Sequence, residues 1–276
     1  MPDLDLTALA DAGAFVSQEH QEHLAGTFGM RTLSVDPAAG RVAFTDAAGA
    51  RTVWRAHLLG TASPEDGTWL WAHENVNGFP DAFVQQSRRV RAFGRKHGVE
   101  QLAVPRLELD DELPGRLVRA VKALTGLTAH VTAPIGTGST KAWLLVEDDA
   151  LRLPPPTVAR TVGVVMSGIA GTGVADHRRA LTAWAEQRGA VVEPGEGVAR
   201  VHVSDGTVRV RFDDADRIVG ISTGRGSDER AVPGADPAPV PPTDTERPGS
   251  EPEAPAESPA EEAAPRRGWL ARLLGR

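Results

Sequence analysis

Residues 60–75 read Gly-Thr-Ala-Ser-Pro-Glu-Asp-Gly-Thr-Trp-Leu-Trp-Ala-His-Glu-Asn, with Trp69 and Trp71 two positions apart. At the strand period of two, both indoles project to one face of a sheet. A polar group, Asn75, follows the strand end. Two rings on one side are either interior packing or a stacking wall for a planar ligand anchored by Asn75. The packing reading buries them beneath a helix expected at 80–97, where each indole contributes roughly 3 kcal/mol or more.

The elements around this strand are legible from period and punctuation. Leu6, Leu9, Ala12, Val16, His20 and His23 recur at helical steps, which predicts a helix over 5–25 ended by Gly26. Short strands follow at 28–35, 41–45, 51–59 and 67–72, joined by turn sequences such as Asp-Pro-Ala-Ala-Gly. Loops that short imply an antiparallel meander. Helical stripes recur at 80–97, opened by Pro80 and closed by Gly98, and at 111–125, capped by Asp110. An extended piece is expected at 99–104 and a hairpin at 127–134 and 140–147. Beyond the prolines of 151–157, a strand is expected at 158–167, a helix at 175–188, and three or four strands with a turn at Asp205-Gly206. The fold class is α+β: antiparallel sheet packed against about four helices, followed by a disordered acidic tail.

The expected organisation is a helix-plus-meander domain over 1–149, a Pro-rich connector at 150–157 and a second α+β segment at 158–225, either a subdomain or a continuation of the same sheet. Residues 226–265, rich in Pro, Glu and Ala, form a disordered linker, and 266–276 a short basic amphipathic helix. In that last segment Trp269, Leu270, Leu273 and Leu274 share one helical side, opposite Arg272 and Arg276. So short a helix needs a surface to order it, either an apolar groove on a partner protein or an anionic membrane.

The net charge of −7 is concentrated in the tail: residues 228–262 hold ten acids and two arginines, 266–276 four arginines, leaving −3 on 1–227. A body that close to neutral argues against nucleic-acid binding. Cysteine is absent, which excludes disulfides, thiolate metal sites and a cysteine nucleophile. The acidic start Met-Pro-Asp-Leu-Asp-Leu and the absence of a long apolar run set the expected location in the cytoplasm, with peripheral attachment at the inner face of the membrane if 266–276 seats on lipid.

The segment Gly60–Asn75 resembles an actinobacterial family of domains of unknown function. Its hallmark is Gly-Thr-x-Ser followed by Thr-Trp-Leu-Trp-Ala-Trp-Ala-Asn. Gly60, Thr61, Ser63, Thr68, Trp69, Leu70, Trp71, Ala72 and Asn75 match it, while His73 and Glu74 stand where the family has Trp and Ala. The resemblance covers residues 5–147 and implies no activity.

Other candidates carry weaker chemistry. His20 and His23, three apart on one helix, have a spacing that permits a shared metal with His57 or His73, but match neither His-Glu-x-x-His nor His-x-x-Glu-His. Gly168, Gly171 and Gly173 sit in a strand-glycine-helix layout reminiscent of a phosphate cradle, with the spacing of the dinucleotide fingerprint reversed. Gly-x-Ser-x-Gly is absent, and the acid pairs have turn or cap explanations. The expectation is a non-enzymatic interaction protein without metal or cofactor. The alternative is a small-ligand binder or enzyme with a pocket at Trp69, Trp71, His73 and Asn75.

Overall fold

The computed structural model describes residues 4–29, 31–136, 138–171, 173–225 and 228–232, with backbone alone for 225 and 228–232. The linker, most of the tail and the 266–276 peptide with Trp269, Leu270, Leu273 and Leu274 lie outside the described residues. What is described belongs to one compact unit spanning 1–233.

Helix α1 (Leu6–Phe28) starts at Asp5, whose carboxylate accepts the Ala8 N–H at 2.7 Å. It runs past Gly26 to Gly29, because a single glycine weakens a helix without ending it when neighbouring side chains still pack. Leu24 and Phe28, on either side of Gly26, are both buried. Between Leu9 and Ser17 the helix is buried almost all round, including Asp11, so it is an interior spine with packing on several sides.

The first sheet is antiparallel and seven-stranded: β1 (Thr32–Asp36), β2 (Arg41–Thr45), β3 (Arg51–Ser63), β4 (Thr68–Trp71), β5 (Arg106–Glu108), β6 (Ala129–Pro134) and β7 (Lys141–Glu147). Strand β3 is its axis. Arg55 pairs with Arg41 on one edge and Glu147 on the other, so β7 flanks one side while β2 and then β4 share the opposite side. Strand β1 comes back towards β6, and a core including Phe28, Phe44, Trp54, Val131 and Leu144 fills the curl.

A bulge at Leu59 shifts the β3–β7 register between Leu58 and Gly60. Its extra carbonyl accepts the Ser87 hydroxyl at 3.1 Å from helix α2 (Asp81–His97). The bulge moves Gly60 and Ala62 to the side on which Trp71 and Trp69, their cross-strand partners, lie. A Cβ on Gly60 would stand 2.5 Å from the Leu70 carbonyl oxygen and 2.8 Å from the Trp69 ring. Helix α4 (Leu113–Thr125) closes this second core through Leu117, Val118 and Val121. Asp110 accepts the Glu112 and Leu113 N–H groups, the cap its sequence suggests.

Two expected extended segments are helical. Residues 99–104 contain α3 (Glu100–Ala103), since Val99 and Leu102, both buried, lie three apart on one face of a turn. Residues 158–167 belong to α5 (Val158–Gly171), where Thr161, Val164, Val165 and Gly168 form the buried stripe. The valines suggest a strand, but the four-residue repeat of small and apolar groups governs. Gly168 and Gly171 therefore lie inside a helix, and the cradle layout is absent there. A Cβ on Gly168 would overlap the Phe15 ring of α1.

Helix α6 (His177–Arg188) follows, capped by Asp176, and then a second antiparallel sheet in sequential order: β8 (Val191–Gly195), β9 (Val198–Val203), β10 (Gly206–Phe212), β11 (Ile218–Arg225) and β12 (Asp228–Val232). Its inner face, with Val201, Val208 and Val210, packs with α5, α6 and the Ala14–Val16 stretch of α1. The fold is thus α+β with antiparallel sheets and, among the described residues, six α-helices rather than about four.

Two glycine substitutions separate these environments. Gly60→Ala should cost about 2–3 kcal/mol, because sheet and indole have no room to yield. Gly26→Ala, with open space around its Cβ on an exposed helical turn, should add about 0.5–1 kcal/mol. Urea unfolding of both variants checks the opposite signs.

Candidate functional site

The residues of the tryptophan segment are engaged with the protein itself. Trp69 and Trp71 are 0% and 1% exposed and meet edge to face at 5.4 Å between centroids. The Trp71 indole N–H donates to the Gln101 carbonyl at 2.9 Å. His73 stacks on Trp71 at 5.9 Å, in a 3-10 turn formed by Ala72–Glu74. Asn75 takes a left-handed conformation (φ 46°) and exchanges two hydrogen bonds with Phe79, accepting its N–H at 2.8 Å and donating to its carbonyl at 2.9 Å. This Asn pins the loop that leads into α2. Ser63 donates to Asp66 at 2.7 Å across the β3–β4 turn.

Glu74 lies 3.5 Å from His73 Nδ1 and 3.1 Å from Arg91 of α2. Burial, and then Arg91, hold the His73 imidazole down to about 4, so the ring is neutral near pH 7.

A second polar group, which sequence reasoning missed, surrounds α1. Asp11 accepts the Ala175 and Asp176 N–H groups at 3.0 and 3.1 Å, at the start of α6. Its burial outweighs those bonds and raises its pKa. Glu19, 3% exposed, accepts from Trp184 Nε1 and Arg188 Nε at 2.9 Å each and from Arg160 at 3.4 Å. It joins α1 to α5 and α6. On α4, Lys122 is fully buried and donates to Ser17 Oγ at 2.8 Å and Gln21 Oε1 at 3.4 Å. The same Gln21 oxygen accepts the His130 N–H at 3.0 Å, and Gln21 Nε2 donates to the His130 carbonyl.

Desolvation, and then Arg119, push the Lys122 amine well below its ordinary range. Burial lowers His130 and takes His20 to about 3. The Nδ1 atoms of His20 and His130 are buried without a partner, although His130 keeps part of its surface exposed.

The third place is a polar cleft of about 620 Å³ at the N-terminal end of β3, the opposite end from the tryptophans. Arg41, Arg55 and Glu147 stand in one cross-strand row, and Asp148 and Asp149 extend the acidic side. Arg55 and Glu147 approach to 3.8 Å with exposed side chains, and Arg41 makes no ion pair among the described residues. Beside the row, buried His57 meets Glu147 at 3.4 Å through Nε2 and the Ala82 carbonyl at 3.1 Å through Nδ1. The cleft is polar and opposed in charge, with basic groups along one wall and acids along the other.

The histidines singled out by spacing are dispersed: His23 faces the Ala150 carbonyl, His57 faces Glu147 and His73 stacks on Trp71. Among the described residues, no group of three or more His, Asp or Glu is close enough to hold a metal ion. Nor is any helix long and apolar enough to cross a membrane. The model of a family of unknown function, DUF6882, matches residues 7–149. No curated protein and no solved structure matches.

The buried bases make two predictions about pH. A folded amine below its unfolded value destabilises the fold until the unfolded lysine also loses its proton. Wild-type stability should therefore rise between about pH 7 and pH 10. Lys122→Met should gain about 1 kcal/mol or more at pH 7 and lose that slope, as read by denaturant unfolding at both pH values. For His73 the unfolded ring takes a proton below its ordinary 6.5 while the folded ring stays neutral to about 4. Its contribution is complete above about 6.5 and is lost as pH falls through that window. His73→Phe should flatten that acid loss, leaving the part due to His20 and His130.

Proposed function

The chain belongs to this family of unknown function, and on that premise we propose that it is a non-enzymatic cytoplasmic binding protein. Its body holds a charged polypeptide segment in the Arg41–Arg55–Glu147 cleft. Residues 266–276 provide a second attachment, to a protein partner or an anionic membrane. The observation that carries the reading is the cross-strand row of two exposed arginines opposed by Glu147, Asp148 and Asp149.

The cleft's volume of 620 Å³ falls within the range of ligand sites. Its exposed charged walls differ from the apolar lining that small-molecule pockets use, and match a partner presenting both signs of charge. An extended segment bearing an acid against Arg41 and Arg55, and a base against the acidic wall, satisfies both sides. The Trp69–Asn75 segment supports the reading by its use: both indoles are buried, and the Trp71 indole and the Asn75 side chain bond to protein groups, which holds the sheet and the α2 entrance.

Fluorescence anisotropy with labelled peptides of acidic, basic and mixed charge tests the cleft. Mixed-charge peptides should bind best and weaken with added salt. Arg41→Glu with Arg55→Glu should reduce affinity at least about tenfold with the melting temperature held. Equal binding by the double variant would remove the cleft from the reading. Deleting 234–276, which keeps β12, should leave peptide binding intact while abolishing association with anionic vesicles or with a protein partner. If the truncated chain keeps both, the tail has no part in attachment.

A further inference from the structure

We propose that the exposed face of α2 is a second docking surface, which takes an acidic segment of a partner polypeptide. It shares no residue with the Arg41–Arg55–Glu147 cleft.

Burial divides this helix into two sides. Phe83, Val84, Ser87, Val90 and Gly94 are buried, and the Ser87 hydroxyl fixes the rotation by donating to the Leu59 carbonyl. The helix period puts Gln85, Arg88, Arg89, Ala92, Arg95 and Lys96 within about 120° of arc. All six are exposed. From Arg88 to Lys96 this stripe runs about 12 Å.

Its charge is nearly one-signed. The helix carries five Lys or Arg residues, Arg88, Arg89, Arg91, Arg95 and Lys96, and one acid, Asp81. The body that presents it, 1–227, has a net charge of −3. Arg88 is paired with Asp81 at 2.7 Å and Arg91 with Glu74 at 3.1 Å. Among the described residues Arg89, Arg95 and Lys96 have no ion pair.

The helix itself does not compensate them. Three and four residues from Arg89 stand Gln85, Gln86, Ala92 and Phe93, and four residues before Arg95 stands Arg91, a like charge. The helix dipole accounts for cations in the last turn, such as Arg95 and Lys96. It does not account for Arg89, about two turns from that end.

Shape and charge select the occupant. A helix face is convex, so a single small anion on it stays in water and is held weakly, whereas several charges on one chain add their effects. The stripe is one helix wide. Exposed Asp81 begins α2, and exposed Glu100 opens the next helix, α3. A bilayer or a duplex covers a broad area and would meet those acids on a body of net negative charge. One acidic chain can follow the cations alone, and at strand rise about four of its residues span the stripe.

Fluorescence anisotropy of the full chain with fluorescein-labelled octaglutamate tests the surface. Binding should weaken with salt and fall at least about tenfold when Arg89→Glu, Arg95→Glu and Lys96→Glu are combined, with the melting temperature held. Arg41→Glu with Arg55→Glu should leave it within about twofold. A loss caused by the cleft pair instead, or by neither set, overturns the proposal, and the first of these outcomes leaves the cleft reading standing. Phosphatidylserine vesicles and duplex DNA run in parallel. If the triple substitution weakens either of them more than octaglutamate, the occupant is not a polypeptide and the proposal fails. Carbodiimide coupling of octaglutamate to the wild-type chain, read by mass spectrometry, needs no variant. The chain has three lysines, of which Lys122 is buried. Coupling to Lys96 should exceed coupling to Lys141 at least about tenfold, because docking raises the local concentration of carboxylates. Equal coupling at the two overturns the proposal.

Discussion

Everything in this molecule is organised by the close seating of α1. At Gly13 a side chain would collide with the Arg119 carbonyl, so α1 and α4 touch backbone to backbone. Near that contact, Phe15 lies against the bare Gly168 of α5. A helix pressed this tightly serves two sheets at once: Leu6 and Leu9 belong to the core that holds the tryptophans, Ala14, Phe15 and Val16 to the core of the second sheet. Shape alone does not fix its rotation. Glu19 and Asp11 do that, one gripping α5 and α6 by their side chains, the other holding the backbone where α6 begins. A buried carboxylate bonded at both oxygens is costly to break by removing one partner, which gives the docking of the two halves a single geometry.

The region matched by the family model ends at residue 149, just before the connector, yet Glu19 and Asp11 lie inside it while their partners lie outside. The connector is itself held: the Pro154 carbonyl accepts from Arg188, and the Pro156 carbonyl from Ser204. Asp205, on the β9–β10 turn, caps the first turn of α5 at 2.7 Å. The second sheet is thus tied to the matched region through α1 and through the chain that joins them. A family domain lacking this second half would leave both carboxylates facing water, where neither needs an arginine.

Legibility in the sequence followed the range of the forces involved. Strand pairs with short loops, the Asp110 cap, the Gly98 terminator and the side shared by Trp69 and Trp71 are local, and each was readable. Residues 158–167 were not, because valine prefers strands by its own geometry and the helix is imposed by packing on Phe15 and the second sheet. The bulge at Leu59 left no trace in composition, although it decides which residues lie under the indoles. Lys122 resembled a surface lysine on an amphipathic helix. The available signal was its rarity in an arginine-rich chain, flanked by Ala120 and Val121, which are both buried. The cleft depends on a register that aligns Arg41, Arg55 and Glu147 from distant segments, which periodicity cannot reveal.

The tryptophan segment and the charged cleft are therefore separate, and the reason is energetic. Gly60 is required by an indole, Ser63 by a turn, and Asn75 by a loop that no other residue type holds so well with a left-handed backbone and two bonds to Phe79. Residues spent this way are constrained by folding, independently of what the protein binds. Arg41 and Arg55 are exposed and contribute little to stability, so their charge is free to be set by a partner. Lys122 is the opposite case, a buried group that costs stability in its charged form.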